Sequence, residues 1–193
     1  MKSKDRRIRS EMTTNQVLEA IRHRRSIIRF EKTPVEDEKI EAILEAGRWA
    51  PSCLNGQPWR FIVVTDPTIK ETLAEFAPSL YKVGIQEAPA CIVVSVDPKE
   101  EPFHFIEDGA AATQNMTLAA YSLGLGSCWV GVFRLEGEKG SNEEKIKKVL
   151  EMPKTQRVIS LLPIGVPKRW DEKKNRKGLS QLVYRNKFKN RAE

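Results

Sequence analysis

Arg22-His23-Arg24-Arg25-Ser26-Ile27-Ile28-Arg29-Phe30 marks the point where one regular pattern in the chain stops and another begins. Upstream, Val17, Leu18, Ala20 and Ile21 recur at helical spacing, so an amphipathic helix runs into the stretch. Downstream, Ile27 and Ile28 are β-branched and favour extended backbone. At the junction Arg24, Arg25 and Ser26 put two guanidinium forks and a small hydroxyl on successive positions. That set suits a doubly charged phosphate, because the Arg fork donates paired, charge-assisted hydrogen bonds. Taken alone, the same residues read first as a solvated basic helix end that complements the helix dipole.

The rest of the chain bounds the problem. Its 193 residues suit one domain with a proper core. A hydrophobic share of 40% and a charged share of 31% are ordinary for a globular protein. The net charge of +7 favours anionic partners, and nucleotide phosphate, nucleic acid and acidic membrane all satisfy it. No basic stripe with interleaved aromatics and no recognisable module points to nucleic acid. No apolar run reaches the roughly 20 residues of a membrane span, and no signal-peptide core opens the chain. A cytoplasmic, non-membrane protein is therefore expected. Cys53, Cys91 and Cys128 are odd in number and lack metal-ligand spacing, and only His23 and His104 could join them. Neither a disulfide nor a metal site is expected, and spacing pairs neither histidine with a catalytic Ser or Cys.

Residues 1–12 are polar and basic and read as a disordered arm, with a single domain over 13–193. Thr13 and Gln16 form a capping-box pattern for a helix to about Arg24, and Thr33-Pro34 signals the start of the next. Trp49 to Trp59 is a loop, Arg60–Thr65 a buried strand, and Asp66-Pro67 the start of a third helix. Ala90–Val96 reads as a second strand, and Phe105–Leu123 as the longest helix. The small residues Gly109, Ala110, Ala111, Ala112, Ala119 and Ala120 permit close approach of another backbone, at a subunit contact for instance. Ser127–Phe133 is a third strand and Val158–Val166 a fourth, where Pro163 suggests a bulge or a sheet edge. Ser141 and Glu144 open the helix between them. The expected fold class is α+β: a mixed four- to five-stranded sheet flanked by helices.

Nucleotide motifs of the common kinds are absent. Gly124, Gly126 and Gly131 follow a helix and precede a strand, the reverse of the dinucleotide fingerprint. What remains is a set of four stretches: Arg24-Arg25-Ser26, Ala50-Pro51-Ser52 to Asn55-Gly56-Gln57-Pro58-Trp59, Gly124 to Phe133, and the basic loop with Lys174-Asn175-Arg176. Together they resemble the nitroreductase family of flavin mononucleotide (FMN) enzymes over roughly residues 14–185.

The resemblance implies a nitroreductase-like fold in an intertwined homodimer, with each FMN touched by both chains. It implies that Arg24, Arg25 and Ser26 grip the FMN phosphate and ribityl chain. Pro51, Ser52 and Cys53 would border the isoalloxazine ring, with Asn55 and Gln57 orienting that loop. Val130 and Gly131 would bring backbone to the reactive edge, and Lys174 and Arg176 would complete the phosphate site. Hydride would pass from NADH or NADPH through flavin N5 to a nitroaromatic, quinone or similar electrophile by a ping-pong mechanism. The alternatives are a flavin-binding or sensing protein without turnover, and a dehalogenase-like or flavin-cleaving enzyme on the same fold. The flavin carries the hydride chemistry, so no catalytic side-chain triad is needed.

Two positions depart from the family pattern. Ile28 stands where a Lys or Arg commonly reaches the flavin pyrimidine edge, and Arg29 follows it. One step along an extended backbone reverses the side chain, so Arg29 is expected to point away from a flavin. Cys53 stands where a small residue such as Ser is frequent, and packing is the simplest role for its thiol. Trp49, Trp59 and Trp129 flank apolar segments, and at least two of them are expected to pack in the core.

Overall fold

The computed structural model describes residues 15–132, 141–170 and 175–188. The basic arm 1–12, Thr13, Phe133 and Lys174 lie outside the described residues. In chain order the elements are α1 (Gln16–His23), α2 (Asp37–Arg48), β1 (Trp59–Val64), α3 (Pro67–Glu75) and α4 (Ser79–Glu87). Then follow β2 (Ala90–Val96), α5 (Phe105–Ser122), β3 (Gly126–Ser127), β4 (Val130–Gly131), α6 (Asn142–Val149) and β5 (Arg157–Gly165).

Local chemistry sets several of these boundaries. Asn15 caps α1 by accepting from the Leu18 amide at 2.9 Å. Asp66 does the same for Ile69 at 2.9 Å, with Pro67 in the first turn of α3. Ser141 accepts from the Glu144 amide at 3.2 Å and opens α6. Thr33-Pro34, by contrast, does not start α2, whose cap is Glu36. Val35 packs into the core just before that cap, which keeps the chain out of the helix for two residues past the proline. The helix α4 was not expected from the sequence. Its apolar contribution is short, with only Gly84 and Ile85 buried, and its chemistry reads as a loop.

The sheet has five strands and runs β1-β2-β5, with β3 and β4 on the far side of β5. All these pairs are antiparallel, and a parallel bridge joins Ser26 to Ser127. Side chains of β2 alternate between two apolar layers. Cys91 and Val93 meet Leu73 and Ala74 of α3, Ile85 of α4 and Ile146 of α6. Ile92 and Val94 meet Ile43 of α2 and Met116 and Ala120 of α5. The fold is thus a sheet between two helical layers, in the α+β class. No helix among the described residues is long and apolar enough to cross a membrane.

Pro163 does not place β5 at an edge, because β5 is paired on both sides. Nor is the bulge at Pro163: Val94 pairs with Ser160 but Ser95 with Val158, so Ile159 is the extra residue. The effect of Pro163 falls across the sheet instead. Gly126–Ser127 and Val130–Gly131 share one register on β5, and the missing rungs between them face Pro163 and Leu162. A proline has no N–H to give, and Cys128 keeps only a long 3.4 Å bond to the Pro163 carbonyl. The expected third strand is therefore two short ones.

Gly109, Ala112 and Ala120 of α5 pack against this chain's own core. A Cβ on Gly109 would lie 2.6 Å from Ile159 Cγ1 and 2.9 Å from Val96 Cγ1, while Ala112 and Ala120 are buried in the core. Gly126 is as confined. A Cβ there would come within 2.9 Å of Ile27 and of Pro167, so the glycine lets β3, the Ile27 segment and the chain after β5 meet. Gly126→Ala should therefore lower stability by about 1–3 kcal/mol, the usual cost of overpacking. The expected readout is a lower urea midpoint with an unchanged slope, and an unshifted midpoint would show that Ile27 and Pro167 yield freely.

Candidate flavin site

Two separate groups of residues carry the chemistry. The first is the end of α1 and the segment after it. Arg24 is the C-cap of α1 and donates its amide to the Ala20 carbonyl. The next residues leave the helix because Ser26 bridges Ser127 and the Ile27 amide donates to the Ser127 carbonyl at 2.9 Å. Ile27 and Phe30 are buried, which fixes the direction of the whole segment. Arg24 and Arg25 are half-buried and Ser26 is exposed. The Arg25 guanidinium turns back to the carbonyls of Arg22 and Arg24 at 2.9 and 2.7 Å, over the negative end of the helix. Ser26 and Arg24 both act on the buried Cys128 thiol, but burial dominates and pushes that thiol up to about 11.

Beside this end, Val130 is buried and Gly131 exposed on β4. A Cβ on Gly131 would meet nothing within 4 Å, so its backbone faces open space. Arg176 is exposed and donates to the neighbouring Asn175 carbonyl at 3.1 Å. Among the described residues no hydrogen bond or ion pair joins it to Arg24, Arg25 or Ser26.

Arg29 is engaged elsewhere. Its guanidinium holds Glu87 at the end of α4, with Nε–Oε2 3.2 Å and Nη2–Oε1 3.1 Å. Glu87 also accepts from the Phe30 amide at 3.1 Å and from Lys168 at 3.3 Å. Burial raises the Glu87 carboxyl, but these donors outweigh it and hold it below its ordinary value. Ile28 packs inward against α4, where a Cβ on Gly84 would lie 3.2 Å from its Cα.

The second group is the loop between α2 and β1. A short 3₁₀ turn over Cys53–Asn55 reverses the chain, and Leu54, Asn55 and Gln57 adopt positive φ of 49°, 58° and 48°. Non-glycine residues take that region at some cost, so the surroundings must hold it. Ser52 Oγ accepts from the Gln57 amide at 3.1 Å, and the Gln57 side chain donates to the Asn55 carbonyl at 3.1 Å. Gly56 faces Glu101: a Cβ there would lie 3.1 Å from that side chain. Its smallness therefore serves the loop's own packing. Pro51 and Ser52 are exposed or half-buried at the rim of a cavity of about 430 Å³, together with Cys53, His104, Glu107 and Asp108.

Cys53 is the inward side of this loop. Its amide donates to the Asp108 carboxylate at 3.2 and 3.3 Å, and its thiol turns to Glu101. Burial, Glu101 and Asp108 all push the thiol up, and burial likewise raises Asp108. The fold brings His104 to the same place, which sequence spacing did not suggest. A raised thiol is the opposite of an activated one, so Cys53 and His104 do not form a nucleophilic dyad. His23 is held at the surface by Glu19 at 2.8 Å. Of the tryptophans, Trp59 is buried and Trp129 packs beside it, while Trp49 is exposed beneath the Arg48 guanidinium.

The two groups lie at opposite ends of one strand. Trp59 pairs with Val96, which pairs with Arg157 at the start of β5; Ser127 pairs with Ile164 near its end. At about 3.3 Å per residue, the seven steps between those positions separate the groups by roughly 23 Å.

Comparison with known proteins agrees with this architecture. Residues 21–88 and 78–166 match the model of the nitroreductase family. A Methanothermobacter thermautotrophicus protein named "Putative NADH dehydrogenase/NAD(P)H nitroreductase" is 38% identical over 153 residues, covering 78% of this chain and 77% of its own. A crystal structure of a Parabacteroides distasonis protein with the same description superposes with a TM-score of 0.83 at 34% identity, over 91% of this chain and all of the other. An FMN-dependent nitroreductase from Clostridium difficile gives a TM-score of 0.81 at 29% identity, covering 89% of this chain and 99% of its own.

Burial also sets the thiol chemistry. Cys91 is fully buried and pushed up to about 12, and Cys128 is nearly as enclosed. Both should resist iodoacetamide at pH 8 in the native protein and react after unfolding. Peptide mapping that finds Cys128 alkylated in the folded state would show that the β3–β4 segment opens.

Proposed function

The chain belongs to the nitroreductase family and is an FMN-dependent NAD(P)H oxidoreductase; we propose that it delivers hydride to a nitroaromatic, quinone or similar electrophile from a site built across two copies of the chain. The observation that carries this reading is the bridge from Ser26, next to Arg24 and Arg25, to Ser127 of β3, with the open backbone of Gly131 following on β4.

These residues fit the group. An FMN phosphate carries nearly two negative charges, and Arg24 and Arg25 with the exposed Ser26 hydroxyl offer charge and hydrogen bonds at one place. Lys174 and Arg176 are proposed to add to that charge. Val130 and Gly131 offer backbone with no side chain in the way of a ring. Bound FMN would supply an N5 that accepts hydride from NADH or NADPH and yields it to the electrophile in alternate half-reactions, the ping-pong pattern. The chain's own work is to hold the phosphate, to present backbone to the ring and to leave one ring face open.

Pro51, Ser52 and Cys53, with Asn55 and Gln57 shaping the turn, are proposed to border the ring from the second chain. Within one chain that loop stands roughly 23 Å from Ser26 along β5, so a single copy does not unite the two groups. The exposed apolar residues support the same assembly. Val17 and Ile21 form an exposed stripe of α1, and Leu54, Leu179 and Leu182 are also exposed. An intertwined homodimer would cover such surfaces.

Purified protein should be yellow, should bleach on addition of NADH or NADPH without oxygen, and should regain its colour when a quinone is added. Flavin that stays oxidised would favour the reading of a flavin-binding protein without turnover. Sedimentation of the same sample should give a dimer, and a flavin-loaded monomer at micromolar concentration would overturn the two-chain site. Because Arg29 is paired with Glu87, Arg29→Ala should shift the FMN midpoint potential by less than 30 mV, which for two electrons is about 1.4 kcal/mol. A larger drop would mean that Arg29 reaches the flavin.

A further inference from the structure

Cys53, Glu101 and His104 place a sulfur, a carboxylate oxygen and an imidazole nitrogen within 4.8 Å of one another. We propose that these three side chains form a binding site for a divalent cation of the zinc class. Two of them, Glu101 and His104, lie three residues apart in the segment between β2 and α5, and the fold brings Cys53 to them from the turn before β1.

The donor set decides the class of ion. Zinc accepts thiolate, imidazole and carboxylate together, whereas calcium and magnesium take oxygen ligands and leave a thiol aside. The geometry is compatible. His104 Nδ1 and Glu101 Oε1 are 4.0 Å apart. An ion about 2 Å from nitrogen and oxygen and about 2.3 Å from sulfur fits a triangle of this size after a small rotation of His104. The His104 side chain is 57% exposed, which leaves space for that rotation.

Glu101 is the fixed corner. Its side chain is buried, and its oxygens accept from the Phe103 amide at 3.0 Å and from the His104 amide. Each oxygen keeps a lone pair for a metal. Charge favours a cation too. Glu101, Glu107 and Asp108 crowd the cluster, and no Lys or Arg among the described residues forms an ion pair with any of the three. The adjoining 430 Å³ cavity, which Cys53, His104 and Asp108 line, leaves room for water at a fourth position. Binding makes the Cys53 thiol a thiolate, and its proton leaves to solvent, so affinity rises with pH.

The experiment uses untagged, flavin-loaded protein, stripped with a chelator and titrated with zinc chloride by calorimetry. Total zinc and FMN absorbance are read on the same samples, which keeps loss of flavin apart from loss of metal. One zinc per chain is expected, and X-ray absorption should show one sulfur neighbour at about 2.3 Å. His104→Ala removes an exposed side chain and should fold; it and Cys53→Ser should each weaken binding at least tenfold. Absence of saturable binding, zinc with no sulfur neighbour, or equal affinity in both variants would overturn the proposal.

Discussion

The backbone ladder of β5 is the constraint on which the structure depends. This nine-residue strand is paired with β2 on one side and with β3 and β4 on the other, and all but its first residue are buried. Buried backbone groups must be hydrogen-bonded, so the strand's neighbours are held in register along its length. Its start is further fixed by Arg157, which meets Glu143 at 2.8 Å, while Glu143 also accepts from the Val158 amide at 3.0 Å. Both side chains are largely enclosed. Breaking such a pair from one side strands a charge and costs about 3–5 kcal/mol, more than the pair itself contributes. Of the proposed site residues, Ser26, Val130 and Gly131 are placed by reference to this strand, through β3 or β4.

One absent N–H then shapes the side proposed to face the flavin. Pro163 removes a donor that would have continued the ladder to Cys128, so β3 and β4 separate. Ser127 is left to hold the segment that begins at Ser26, and Val130–Gly131 forms its own pair with β5. Glu87 secures the other flank. One carboxylate at the end of α4 receives Arg29, the Phe30 amide and Lys168, tying the Ile27–Phe30 segment to α4 and to the chain after β5. The orientation of Arg24 to Ser26 is thus set by contacts within the chain, to Ser127 on one side and to Glu87 on the other.

Where local chemistry decides, the sequence was readable. Asp66 with Pro67 and Ser141 with Glu144 are caps whose hydrogen bonds stay within one turn, and both helices begin there. The β2 strand is apolar apart from Ser95 and is buried on both faces. Where the decision is made across the fold, it was not readable. Nothing near Ser127–Gly131 reveals that a proline 36 positions after Ser127 will split that strand. Gly109 advertises a close approach but not to what, and its neighbours are the side chains of Ile159 on β5 and Val96 on β2. The apolar stripe of α1 announces a buried face, yet in one chain Val17 and Ile21 stay exposed. The motif residues Arg24 to Ser26 and Pro51 to Gln57 were legible as chemistry, but their separation along β5 was not. Cys53, Glu101 and His104 were invisible as a set, since 48 residues separate the first two.

That separation has an energetic consequence for the proposed two-chain site. When one chain holds the phosphate and another borders the ring, cofactor binding and subunit association share a single free-energy cycle. A ligand that binds only the assembled form stabilises it by RT ln(1 + [L]/Kd), about 2.7 kcal/mol at a hundredfold excess over Kd. Reciprocity then requires that dimerisation tighten cofactor binding by the same factor. The strained turn at Leu54–Gln57 belongs to this balance. Its three positive-φ residues carry an exposed Leu54 at the surface that a partner would cover. Internal hydrogen bonds from Gln57 to Ser52 and Asn55 hold the turn before any partner arrives. The ordering cost is therefore met during folding, and the association step retains more of its apolar gain.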